Sequence, residues 1–283
     1  MNSKSKIKLL ALDVDGTLFT DQGLVTKESI QAIKAAQAAG VTVIIASGRD
    51  FDGVPLGQLA EVNIPYVITT NGAAVYKVKG RQCLAEQCLP IDTVAPIVDV
   101  LMTKEVHISA FIDGHKRTPP HVDQYIKNLG VPDHIKEHLA NSPHTMDSFI
   151  DYVHSKDAKI QKITLNFQQL EDGTYLNRAE VADMLYSCPD ISVVNGGFFN
   201  LEMTARGVNK GKGLQMLAEK LGISMDETMA IGDSENDLDM LKMAGLGIAM
   251  ENAADNIKAA ADAVTLSNEN NGVAYAIEKY ILD

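Results

Sequence analysis

The chain opens on an apolar run, Ile7-Lys8-Leu9-Leu10-Ala11-Leu12, that turns abruptly polar at Asp13-Val14-Asp15-Gly16-Thr17. A short, nearly continuous apolar stretch bounded by turn residues predicts a buried strand of a parallel sheet. Thr26 suits the N-cap of a helix running through Ala39, and Gly40 suits its stop. Val41-Thr42-Val43-Ile44-Ile45-Ala46 then predicts a second buried strand, giving a β-α-β unit. A helix is expected around Pro55 to Val62, followed by a strand Tyr66-Val67-Ile68-Thr69 and the turn dipeptide Asn71-Gly72. Beyond this the pattern weakens. All seven histidines lie between His107 and His154, among several prolines and short segments, with clearer strands only at Val106 to Ile112 and Lys159 to Phe167. From Phe198 the alternation returns: a strand to Met203, a helix over Lys210 to Leu221, a strand at Met229-Ala230-Ile231, a helix over Leu238 to Ala244, and Gly247-Ile248-Ala249. The expectation is an α/β protein whose parallel-sheet core is interrupted by an inserted domain of roughly 110 residues, an ordinary domain size. The boundaries expected are 1–84 and 197–283 for the core and 85–196 for the insertion.

Composition narrows the function classes. With 46% apolar and 22% charged residues in 283, the chain is of ordinary globular type. Its formal net charge of -12 opposes a nucleic-acid partner, since binding to polyanions draws on clustered Lys and Arg. The basic start Met1-Asn2-Ser3-Lys4-Ser5-Lys6 leads into an apolar run too short for a signal peptide or a membrane span, so a cytoplasmic protein without a membrane partner is expected. Cys83, Cys88 and Cys188 match no usual zinc spacing and cannot all pair, and are read as reduced thiols.

The candidate chemistry sits at strand ends. Asp13 and Asp15, at i and i+2 of an extended segment, point the same way into the crevice expected beyond the carboxyl ends of a parallel sheet. Two like charges so held call for a cation or a shared proton. A second acidic cluster, Gly232-Asp233-Ser234-Glu235-Asn236-Asp237, follows another apolar strand and should emerge at the same edge. Carboxylates without histidine or thiolate suit a hard cation, with Mg2+ expected. Ser47-Gly48-Arg49 ends the second strand with a hydroxyl and backbone N–H groups suited to an anion. Lys210, at a predicted helix start, adds a cation for phosphate. Taken singly, Ser-Gly-Arg is a common turn, a helix-start lysine is commonly surface, and G-D-x-x-x-D suits an ordinary turn with an N-cap. Their convergence on one sheet edge favours a site. His134-Ile135-Lys136-Glu137-His138 has the spacing of a metal site but lacks Glu after the first His, and is read as a solvated helix face.

Asp13-Val14-Asp15-Gly16-Thr17, Ala46-Ser47-Gly48-Arg49, Thr70-Asn71-Gly72-Ala73, Lys210-Gly211 and Gly232 to Asp237 together resemble the haloacid dehalogenase superfamily, specifically its Cof-type sugar-phosphate phosphatases. Ala249-Met250-Glu251-Asn252-Ala253 and Gly272-Val273 extend the resemblance, while Asn271 stands where relatives commonly carry an acidic residue. The resemblance implies a Rossmann-like core with an inserted α/β cap that closes over it and selects the leaving group. It implies that Asp13 is the nucleophile, forming an aspartyl phosphate, and that Asp15 is the general acid and base. Mg2+ would be held by Asp13, the Asp15 carbonyl and Asp233, with Asp237 behind them or bound through water. Val14, Ser47, Gly48, Lys210 and Asn236 would hold the phosphate. The implied partner is a small phosphorylated metabolite, with sugar phosphates the expected class. A phosphohexomutase of the same superfamily and a non-catalytic phosphometabolite-binding regulator are the alternatives, and the oligomeric state stays open.

Overall fold

A computed structural model describes residues 7–140, 144–195 and 199–283. The first segment contains β1 (Leu9–Leu12), α1 (Lys27–Ala38), β2 (Thr42–Ala46), β3 (Tyr66–Thr69), β4 (Ala74–Lys77) and β5 (Gln82–Glu86). Next come α2 (Ile91–Met102), β6 (Val106–Ile112), β7 (His115–Arg117), α3 (Asp133–Ala140) and α4 (Phe149–Val153). These are followed by β8 (Ile160–Phe167), α5 (Arg178–Tyr186), β9 (Ile191–Asn195) and β10 (Leu201–Ala205). The last segment has α6 (Lys210–Leu221), β11 (Thr228–Gly232), α7 (Leu238–Met243), β12 (Leu246–Ala249), α8 (Asp255–Ala260), β13 (Ala263–Val264) and α9 (Gly272–Ile277). Two compact units result, one of Met1–Glu86 with Asn209–Asp283 and one of Gln87–Val208.

The first unit is a doubly wound α/β layer structure. Its eight strands run in the order β13-β12-β11-β1-β2-β3-β4-β5, parallel from β13 to β3 and antiparallel over the last two pairings. Strand side chains alternate between faces, so β1 is apolar throughout because both faces are covered. Leu10 and Leu12 join a cluster with Ile30 and Ile33 of α1 and Ala276 and Ile277 of α9. Leu9 and Ala11 join the opposite cluster, with Leu214 and Leu217 of α6 and Met240 and Leu241 of α7. The Thr26 side chain accepts from Ser29 N at 3.2 Å, capping α1 as its sequence predicts.

The second unit is a five-stranded antiparallel sheet in the order β7-β6-β8-β10-β9. Ile108, Ile163, Leu165, Leu201 and Met203 pack with Val98 of α2, Phe149 of α4 and Val181 of α5. The fold class expected from the alternation is therefore present, with three differences in detail. The segment from Pro55 to Val62 is a chain of turns rather than a helix: Gln58 N bonds Pro55 O, Ala60 N bonds Gly57 O and Val62 N bonds Leu59 O, each spanning three residues. Gly57, the residue least favourable in a helix interior besides proline, sits in its middle. Next, β4 and β5 extend the parallel sheet as an antiparallel hairpin that the sequence reading passed over. Finally β10, expected to reopen the parallel core, pairs with β8 and β9 in the second sheet. Residues 134 and 138 lie in α3; the side chains of His134 and His138, expected on a solvated face, lie outside the described residues. No helix among the described residues is long and apolar enough to cross a membrane.

Candidate active site

The site forms where β1, β2 and β11 end side by side. Leu12 is in register with Ile45 and with Ile231, and Asp13 N continues the ladder with a 3.1 Å bond to Ile231 O. Asp13 thus leaves the central strand beside Asp233, just past β11, and Ser47, just past β2. Gly16 makes the turn that follows, at φ +82°, and any side chain there would collide with the Asp233 carboxylate. Thr17, on the far side of that turn, donates from its hydroxyl to Asp233 Oδ1 at 2.8 Å.

Lys210 begins α6 with its side chain fully buried. Its Nζ donates to Asp13 Oδ1 at 2.6 Å, to Asp237 Oδ1 at 2.7 Å and to Asn236 Oδ1 at 3.2 Å. An ammonium at the positive end of a helix is unfavourable by itself, and these carboxylates offset it. The loop after β3 lets α6 come this close: a side chain on Gly72, at φ +97°, would overlap the Asn209 carbonyl. Asp237, also fully buried, does two jobs. Oδ1 accepts from Lys210, while Oδ2 accepts from Asp233 N and Ser234 N, each at 3.1 Å, closing the turn after β11. The turn reading of G-D-x-x-x-D therefore holds, and the same carboxylate also reaches Lys210.

Asp13, Asp233 and Asp237 bring carboxylate oxygens within 4.8 Å of one another, against one ammonium. Burial and the Asp237 charge push the Asp13 carboxyl up to about 8, with Lys210 pulling against them. Burial likewise raises Asp233 to about 6, opposed by its bond from Thr17. Lys210 is held above its ordinary value: burial alone would lower it, but Asp13 and Asp237 outweigh that. Three buried or half-buried carboxylates facing one lysine leave an excess of negative charge, and the all-oxygen donor set suits a hard divalent cation. The residues present therefore fit a metal of that kind.

The Asp15 side chain stands apart from this cluster. It is largely exposed, and both of its oxygens accept from Arg49, from Nε at 2.9 Å and Nη2 at 2.7 Å. Ser47 is buried and its hydroxyl accepts from Arg49 N at 3.1 Å. Asn71 N donates to Ser47 O, and the Asn71 side-chain oxygen accepts from Asn236 Nδ2 at 3.2 Å. Gly48 lies against that same oxygen of Asn71. The Val14 side chain belongs to an apolar cluster, so only its backbone can serve a ligand. All nine candidate residues, Asp13, Val14, Asp15, Ser47, Gly48, Lys210, Asp233, Asn236 and Asp237, thus belong to one unit and cluster at one end of its sheet. Three participants had no role in the sequence reading: Thr17, Asn71 and Arg49 as the partner of Asp15. Each lies inside a motif already singled out, which was the available signal.

A parallel sheet that gathers buried carboxylates, a lysine and amide side chains beyond its carboxyl ends defines an α/β enzyme built for a charged substrate. Comparison gives the family. A model of the haloacid dehalogenase-like hydrolases matches residues 10–277. The 5-amino-6-(5-phospho-D-ribitylamino)uracil phosphatase YcsE of Bacillus subtilis is 30% identical over 284 residues, covering 98% of this chain and 96% of its own. Among solved structures, a haloacid dehalogenase-like hydrolase from B. subtilis aligns with TM-score 0.77 and 27% identity, covering 96% of this chain and 99% of that one. A sugar phosphatase of haloacid dehalogenase subclass IIB aligns with TM-score 0.75 and 26% identity, covering 96% and 98%. The chain belongs to the haloacid dehalogenase-like hydrolases and is a phosphoric monoester hydrolase.

Proposed function

We propose that this enzyme is a Mg2+-dependent phosphatase of small phosphorylated metabolites, sugar phosphates foremost, that carries the phosphoryl group transiently on Asp13. The observation that carries the proposal is the buried Asp13–Lys210–Asp237 arrangement beside Asp233. Lys210 engages Asp13 through Oδ1, leaving the other carboxylate oxygen to attack phosphorus. A carboxylate is a weak nucleophile, so the rate must come from positioning and from neutralising the phosphoryl oxygens. Asp13 and Asp233, with the Asp15 carbonyl, would hold Mg2+ with Asp237 behind them, and the bound ion would supply positive charge to the phosphoryl oxygens. Lys210 and Asn236 serve those oxygens from one side, and Ser47 with the backbone at Val14 and Gly48 from another.

Asp15 supplies the proton. As phosphorus bonds to Asp13, the ester oxygen leaves and takes a proton from the Asp15 carboxyl. Asp15 then accepts a proton from water as that water attacks phosphorus, releasing inorganic phosphate and restoring Asp13. Because both Asp15 oxygens accept from Arg49, Asp15 has to loosen that pairing before it acts as the acid. The substrate class is supported by relatives named for a ribityl phosphate and for sugar phosphates, both phosphate esters of polyols. The test is phosphate release from a panel of phosphorylated sugars, nucleotides and cofactors with Mg2+ and with chelator. Mg2+-dependent release, highest for sugar phosphates, is expected; sugar-isomer formation without phosphate release would make the enzyme a mutase instead.

A further inference from the structure

The loop after β3 carries more strain than a turn requires. Thr70 and Asn71 both have positive φ, +51° and +57°, ahead of Gly72 at +97°. Asparagine tolerates the left-handed region, but a β-branched residue there is an outlier. The Thr70 hydroxyl is also buried without a partner among the described residues. Such strain persists only where the surroundings enforce it, and it gathers at functional sites. Two backbone bonds enforce it here: Thr70 N donates to Arg49 O at 2.8 Å, and Asn71 N to Ser47 O at 3.1 Å. They fasten the end of β3 to the loop that follows β2.

The strained loop fixes the place of one buried side chain. Asn71 Oδ1 lies where only a glycine at position 48 leaves room, since a Cβ on Gly48 would stand 2.7 Å from it. From there it accepts from Asn236 Nδ2 at 3.2 Å. Asn236 itself is exposed and sits in a single 3-10 turn, Glu235–Asp237. The last torsion of an asparagine is broad and roughly two-fold, so the carbonyl and NH2 ends of its amide exchange places at little steric cost. To an anion the two ends are opposites, because one donates and the other repels. Three neighbours agree on one orientation. Lys210 Nζ at 3.2 Å and Ser234 Oγ at 2.7 Å donate to Asn236 Oδ1, and Asn71 Oδ1 takes the NH2 end.

We infer that Asn71 is a positioning residue: it holds the Asn236 amide with one N–H on Asn71 Oδ1 and the other turned to the phosphoryl oxygens. Asn71 acts only through Asn236. Its part in turnover rests on the proposed phosphatase function; its hold on Asn236 does not. Asn71→Gly removes the acceptor and leaves a residue at ease in the left-handed region, so the backbone path should be kept. Combined with Asn236→Ala it forms a double-mutant cycle. With Asn236 present, Asn71→Gly should lower kcat/KM about 10-fold; with Asn236→Ala, less than about 2-fold, because the amide it orients is gone. General damage to the loop would lower both backgrounds alike and cancel. Equal fold-losses in the two backgrounds, or no loss in either, overturn the inference. NMR of 15N-asparagine-labelled protein tests the contact without substrate. The Asn236 NH2 signals, identified by their absence from Asn236→Ala, should include one slowly exchanging hydrogen that becomes fast in Asn71→Gly. The same exchange in both proteins overturns the inference. If no phosphate ester is hydrolysed at all, the phosphatase proposal fails, and the NMR measurement still decides whether Asn71 orients Asn236.

Discussion

Replacing Lys210 by methionine is the sharpest test of how the site is held together. The substitution keeps the length and apolar stem of the side chain and removes the ammonium, and with it the bonds to Asp13 at 2.6 Å, Asp237 at 2.7 Å and Asn236 at 3.2 Å. Both acidic partners are almost wholly buried, so neither can recover its interaction from water. Removing one member of a buried ion pair typically costs about 3–5 kcal/mol, chiefly because the other charge is left uncompensated. At roughly 2–4 °C per kcal/mol for a domain of this size, the melting temperature in chelator at about pH 8 should drop by about 10 °C. The loss should shrink toward about pH 5, where Asp13 takes up a proton and the uncompensated charge is smaller. Mg2+ should restore part of the stability by supplying positive charge, but turnover should stay at least about 100-fold down, the equivalent of about 2.7 kcal/mol lost at the nucleophile. Differential scanning fluorimetry at both pH values, alongside phosphate release, measures all of this. A drop of under about 2 °C at the higher pH, less than 1 kcal/mol, would refute the view that Lys210 holds the carboxylates together.

Asp13→Asn should abolish turnover with the fold intact; retention of even a tenth of wild-type rate, a barrier change of about 1.4 kcal/mol, excludes covalent catalysis by this residue. Asp15→Asn should slow alkyl phosphates more than activated aryl phosphates, whose leaving groups need no proton, and equal losses on both would remove Asp15 as the acid. In chelator, thermal stability should decline as pH rises from about 4 to about 8. Asp13 and Asp233 have folded values raised above their unfolded ones, so their contribution is complete below the unfolded value and is lost as pH rises through about 6 and about 8. Stabilisation by Mg2+ should grow over the same interval, and a pH-independent Mg2+ effect on melting would contradict the coupling. Asp233→Asn should raise the Mg2+ concentration needed for half-maximal rate, whereas His134→Ala and His138→Ala should leave it unchanged; stoichiometric zinc at the histidine pair would reverse that reading.

The parts of the fold that were legible in the sequence are those where burial on both faces writes itself as an uninterrupted apolar run. Leu9–Leu12 and Thr42–Ala46 lie at the middle of the sheet, and α6 begins at Lys210 behind the Asn209 cap. Periodicity failed where it carries no information about partners. Leu201 and Met203 alternate with Glu202 and Thr204 as any half-buried strand would, and nothing in that pattern says which sheet the strand joins. Pro55 at a plausible first helical position invited a helix, but Gly57 lies two residues on and the segment closes only three-residue turns. The candidate site was legible as residue types at strand ends. Its wiring was not, because the Asp15–Arg49 pair joins residues 34 apart through the register of β1 on β2.

The acidic centre is where local stability and the proposed chemistry pull against each other. Asp13, Asp233 and Asp237 come from two strand ends and a turn, and Lys210 from a helix start, so none of their mutual repulsion or attraction exists until the sheet has formed. Once formed, the cluster has one ammonium for three carboxylates, and burial sharpens every unbalanced interaction. Replacing all members of such a buried charge cluster together by well-packed apolar residues is often neutral or even stabilising, whereas removing one of them is costly. The retention of charge there is therefore explained by what the charges do rather than by what they add to the fold. The same logic applies to Gly16, whose missing side chain leaves room for the Asp233 carboxylate: Gly16→Ala would impose both backbone strain and a clash with that carboxylate. If the site exists to hold a divalent cation and a phosphoryl group, that variant should lose Mg2+ affinity and turnover together, out of proportion to its loss in melting temperature. Proportionate losses would mean that Gly16 serves only the turn.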